Sequence, residues 1–123
     1  MKSPESALDY QHIDWGSVPA EQLAEGIERQ MIWGERLMMC RLILQPQVVT
    51  AVHSHPHEQM TIVARGRVRF IVDGRDRIAS TGDVLLFPAN IPHGATMLDE
   101  EVELIDIFSP LREDFLPQRP QER

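Results

Sequence analysis

His53-Ser54-His55-Pro56-His57-Glu58-Gln59, together with Pro92-His93-Gly94 further along, holds four of the chain's five histidines. Side chains of an extended strand alternate between its faces, so His53 and His55 point the same way, with imidazoles near enough to share one ion. Pro56 cannot donate to a sheet ladder, which predicts that the strand turns there. The next strand then opens around Gln59, whose side chain offers a third donor, and His93 offers a fourth from forty positions beyond His53. Glu58 is the rival for the third place, but its side chain falls on the face opposite Gln59. His57 lies in the turn and is expected at the rim.

Around this stretch the chain reads as short strands separated by turn residues. Leu37 to Leu44, Val48 to His55, Gln59 to Ala64, Arg67 to Val72, Arg75 to Ser80, Val84 to Phe87 and Val102 to Phe108 are bounded by Gln45-Pro46-Gln47, Arg65-Gly66, Asp73-Gly74 and Gly82-Asp83. Such spacing predicts an all-β sandwich or barrel in a single domain. Before Gly34 the pattern is weaker. An extended arm or edge strand is expected around Ile13 to Trp15, one or two helical turns over Pro19 to Gly26, and alternating strand positions from Ile27 to Trp33.

Composition excludes several classes of function. Twelve basic against nineteen acidic residues give a net charge of −7, which argues against nucleic acid or an anionic membrane as partner. The arginines at 65, 67, 69, 75 and 77 alternate with Val68, Phe70 and Val72 and read as the solvated face of a hairpin. No apolar run approaches a membrane span and no secretory leader is recognisable, so a soluble, cytoplasmic protein is expected. The single cysteine, Cys40, sits in an apolar run and reads as a buried, inert thiol.

The last strand places Val102, Leu104, Asp106 and Phe108 on one face, and Glu103, Ile105 and Ile107 on the other. A carboxylate on an otherwise apolar face is costly unless paired, protonated or functional. From the pattern alone Asp106 is equally a residue near the solvent rim.

The His motifs resemble those of the cupin family in spacing as well as composition. The first cupin motif runs Gly, five residues, His-x-His, three or four residues, Glu, six residues, Gly; here Gln59 and Gly66 follow His53 and His55 at those intervals. The second runs Gly, five residues, Pro-x-Gly, two residues, His, three residues, Asn, matched by Gly82, Pro88 and His93. Gln47, Asn90 and Met97 depart from it, and Gln59 stands in the ligand place of Glu. The resemblance implies a single-domain cupin jelly-roll β-barrel over residues 34–116, an N-terminal arm with the first strands over 1–33, and a tail over 117–123.

Within the cupins the first motif and Asp106-Ile107-Phe108-Ser109-Pro110-Leu111-Arg112 resemble the KdgF pectin-degradation proteins. That resemblance implies one divalent metal ion (zinc, nickel, manganese or iron) held by His53, His55, Gln59 and His93. It further implies a reactive trio of Asp106, Phe108 and Arg112, and ring-opening of 4,5-unsaturated monouronates, carboxylated sugars, to linear 5-keto-4-deoxyuronate. For Arg112 the alternative is an ion pair with Glu113 or Asp114. Two other functions fit a small cupin: an iron-dependent dioxygenase and a non-catalytic sugar-acid binding module. A homodimer is expected, with Ile105 and Ile107 on the outward face.

Overall fold

The computed structural model describes residues 10–117. Ten strands follow in order: β1 (Glu21–Ala24), β2 (Ile27–Trp33), β3 (Met38–Leu44), β4 (Val49–His53), β5 (Glu58–Arg65), β6 (Arg67–Val72), β7 (Arg75–Ser80), β8 (Val84–Phe87), β9 (His93–Met97) and β10 (Val102–Ser109). They form two antiparallel sheets, one of six strands in the order β1-β2-β3-β10-β5-β8 and one of four in the order β4-β9-β6-β7. The sequence order is shuffled within each sheet, as in a jelly roll. No helix among the described residues is long and apolar enough to cross a membrane.

The strands end where the backbone must adopt left-handed geometry. Gly66 and Gly82 have φ of 99° and 93°, and Asp73-Gly74 turns the β6–β7 hairpin with φ of 51° and 82°. Gln47 and Asn90, which replace glycines of the two motifs, take φ of 70° and 69°, so they keep the conformation while lacking the residue. The Asn90 N–H donates to the His55 carbonyl at 2.7 Å, tying the second motif to the first.

Between the sheets Leu44, Val63, Val68, Phe70, Phe87, Met97, Val102 and Leu104 form the main core. Met38, Cys40 and Phe108 make a second cluster, closed over by Met31, Leu111, Phe115 and Leu116. Each large side chain here contributes about 1.5–3 kcal/mol by burial. The β6–β7 arginines are exposed while Val68 and Phe70 are buried, as the alternation requires.

The N-terminal region differs from expectation. Residues 19–26 are not helical: β1 pairs antiparallel with β2, and Gly26, with φ of 82°, turns the hairpin rather than ending a helix. The reason is the partner strand, because hydrogen bonding to β2 outweighs the weak local helix signals of a short segment. Ile13 to Trp15 form no edge strand; Trp15–Ser17 is a single 3-10 turn capped by the Asp14 side chain. The expected arm over residues 1–9 and the tail over 118–123 lie outside the described residues.

Candidate metal centre

β4 and β9 are antiparallel neighbours with His53 directly opposite His93. A register irregularity between Thr50 and His53 bends β4 at its end, a feature that re-aims side chains beside functional sites. Gly94 permits the close crossing, since a Cβ there would lie 3.0 Å from the Thr50 carbonyl oxygen and 3.1 Å from the Val52 Cα. His55 has already left the strand, so it reaches the cluster from the connection to β5 rather than by strand alternation. The imidazole donors of His53, His55 and His93 lie within 4.8 Å of one another and can hold one metal ion.

All three rings are oriented by backbone carbonyls. Nδ1 lies 3.0 Å from the Ala51 oxygen in His53, 3.1 Å from the His57 oxygen in His55, and 2.9 Å from the Ile91 oxygen in His93. A carbonyl accepts only, so in His53 and His93 Nδ1 carries a proton and the neutral ring keeps its lone pair at Nε2; His55 lies between two accepting oxygens and, as the neutral ring, donates to one of them. Burial pushes the His55 and His93 pKa values below the ordinary imidazole value, which favours the neutral rings. Phe87 stacks on His93 at 4.5 Å between centroids, and Phe108 meets His55 edge-on at 5.8 Å.

Two features test whether a cation fits. The His93 Nε2 is buried without a hydrogen-bond partner, a costly state for a polar atom that a metal would relieve. The His55 Nε2 faces the Gln59 Oε1 at 2.9 Å, and with the ring proton on Nδ1 both atoms offer lone pairs to a cation between them. Donors about 2.1 Å from a shared ion, at roughly right angles, stand about 3 Å apart. The residues fit a divalent ion.

From β5, Gln59 turns inward and is 6% exposed, while Glu58 is exposed on the other face. The Gln59 Nε2 donates to Thr61 Oγ1 at 2.9 Å, and Thr61 donates to Asp106 Oδ1 at 2.7 Å. Asp106 lies opposite Thr61 in the β10–β5 register. Its carboxyl lines the cavity, so it keeps some accessible surface, yet protein surrounds it closely enough that burial raises its pKa to about 6.

A cavity of about 260 Å³ runs from the imidazoles between the two clusters. Phe108, 2% exposed, walls it, and Arg112, 8% exposed, borders it. The Arg112 guanidinium lies 4.0 Å from the Phe115 ring centroid, with Nε and one terminal nitrogen on the Asp114 carboxylate at 3.1 and 2.9 Å. The ion pair is therefore formed and Arg112 also faces the cavity; the two readings of this residue coexist.

Two neighbours escaped the sequence reading. Arg29, 7% exposed, lines the same cavity, pairs with Glu21 at 3.0 Å and lies 4.5 Å from the Phe115 centroid. Its signal was available, since it falls on the strand face of Ile27 and Met31, where a charge is out of place. Thr61 gave no such signal. His57 corrects an expectation: it is 8% exposed rather than at the rim, with its ring packed 5.5 Å from the His55 ring and its Nε2 3.7 Å from the exposed Glu113 carboxylate. Cys40 is 1% exposed and burial pushes its thiol up to about 12, so it is inert.

Three imidazoles that converge between the two sheets of a jelly roll, and that could hold a metal ion, define a small cupin. The cupin domain model matches residues 40–108, and the chain belongs to the cupin domain family. Within it, the chain is 39% identical over 100 residues to the pectin degradation protein KdgF of Dickeya dadantii (strain 3937), covering 80% of this chain and 91% of that protein. Among solved structures it superposes on KdgF from Halomonas sp. with a TM-score of 0.83 at 27% identity, covering 88% and 100% of the two chains. It also matches an RmlC-like cupin from Shewanella frigidimarina NCIMB 400 with a TM-score of 0.80 at 32% identity, covering 87% and 97%.

Proposed function

We propose that this cupin opens the ring of 4,5-unsaturated monouronates, giving the linear 5-keto-4-deoxyuronate. The observation that carries the reading is one cavity lined by His53, Gln59 and His93, with His55 within ligand distance of the other two imidazoles, and by the buried acid Asp106. The likeness to KdgF proteins supports the substrate class. A divalent ion held by three neutral imidazoles and one amide oxygen would keep its full charge and supply Lewis-acid polarisation of substrate oxygens.

The chain's own residues handle protons and orientation. Opening removes the proton of the C1 hydroxyl and breaks the bond between C1 and the ring oxygen, leaving an aldehyde at C1 and an enolate at C5. The enolate takes a proton at C4 and becomes the ketone. One proton moves from oxygen to carbon and nothing is oxidised. Asp106, whose pKa burial raises to about 6, is suited to take up and return that proton. Arg112 offers its remaining amino group to the substrate carboxylate, and Phe108 excludes water from one wall. The protein acts as a homodimer in this reading, through an outer face of the six-stranded sheet where Met60, Val84 and Leu86 are exposed beside half-buried Ile105 and Ile107.

Turnover is followed as loss of the unsaturated uronate's ultraviolet absorbance, with and without oxygen. Asp106→Asn should lower kcat about 10²–10⁴-fold and keep its metal. Arg112→Ala should act mainly on KM, by about 2 kcal/mol, because only part of its fork is open to substrate. Normal turnover by both variants, or activity that requires oxygen, would refute the proposal.

A further inference from the structure

We infer that Thr61 is a positioning residue that sets which end of the Gln59 amide faces the imidazoles; this rests on the metal-site reading above. The oxygen and nitrogen ends of a glutamine amide are nearly the same size, so packing alone does not choose between them. Only the oxygen end can bind a cation. The choice must come from a neighbour whose own hydrogen-bonding direction is fixed.

Thr61 is that neighbour. The Asp106 carboxylate, when ionised, only accepts, so the single hydroxyl proton of Thr61 is then committed across the 2.7 Å contact to Oδ1. Toward Gln59 the hydroxyl then has only a lone pair, and the amide answers with its N–H at 2.9 Å. That leaves Oε1 on the His55 side. A reversed amide would set its oxygen against the Thr61 lone pair and turn two N–H donors toward the cluster. Thr61 is 1% exposed, so solvent does not relieve the mismatch. Its direction is imposed from β10, through the register that puts Asp106 opposite Thr61.

The test uses the metal alone, titrated calorimetrically as zinc or nickel into metal-free protein, with the metal-induced shift in melting temperature as a second readout. Thr61→Val should bind about 10–100-fold more weakly, and Thr61→Ser should restore affinity to within a few-fold. In a Gln59→Glu background both oxygens are equivalent, so Thr61→Val should then have little effect. Thr61→Ala, run alongside, removes the hydroxyl without adding bulk. Wild-type affinity in Thr61→Val and Thr61→Ala overturns this inference alone. Equal losses in the wild-type and Gln59→Glu backgrounds overturn it too, since Thr61 would then act through packing. No metal affinity in the wild type overturns the site reading and this inference together.

Discussion

The two sheets equip one cavity in different ways. On the four-stranded side, His53 and His93 are each oriented by the carbonyl two residues earlier in the chain, Ala51 and Ile91. On the six-stranded side, Gln59, Thr61 and Asp106 are oriented by one another across two strands. The imidazole half is thus built from local backbone geometry, and the acid half from side chains that depend on register. Damage to the first should remove the metal; in the second, loss of Thr61 should weaken it through Gln59, whereas loss of the Asp106 charge should leave it and change chemistry or stability.

The largest effect that follows is at His93. Elemental analysis of His93→Ala should show near-complete loss of bound metal, while Asp106→Asn stays loaded; metal retained in His93→Ala would break the division between the halves. His93 is the sharper choice because its Nε2 has no protein partner among the described residues.

A smaller effect, of opposite sign, is expected for metal-free protein at Asp106. Burial raises its pKa from 3.8 to about 6, so in that interval the folded state binds more protons than the unfolded one. Stability therefore falls as pH rises through the interval and stays lower above it, by about 3 kcal/mol. Asp106→Asn removes this penalty. Its metal-free form should melt higher than wild type at about pH 7.5, and the gap should close near pH 4. A gap that persists at low pH would mean that the variant acts through packing.

The smallest effect is an absence of reaction. Cys40 lies opposite Asp106 in the β10–β3 register, yet its raised pKa predicts no labelling by a thiol reagent at about pH 8 until the protein unfolds. Rapid labelling of native protein would show that the acid half opens more readily than the imidazole half.

Much of the site was legible because strand periodicity is local. Parity alone separates Gln59 from Glu58, and turn residues mark where β5 to β8 begin and end. Asn90 could be read as a glycine substitute because asparagine tolerates left-handed backbone, whereas Gln47 carried no such signal. The errors lie where a partner, not parity, decides. Within Pro19 to Gly26, Glu21–Ala24 became a strand through pairing with β2, and the His57 ring is buried although its position in the turn suggested the rim.

By itself the sequence determined an all-β chain with the spacing of two His motifs, an inward Gln59 and an acid on the apolar face of the last strand. Only the tertiary structure decided what those groups do to one another. The orphaned His93 nitrogen, the second arginine beside Phe115 and the direction of the Thr61 hydroxyl arise from strands distant in sequence. The physical reason is that alternation fixes which face a side chain takes, whereas hydrogen-bond direction and pKa depend on the partner brought opposite it by register.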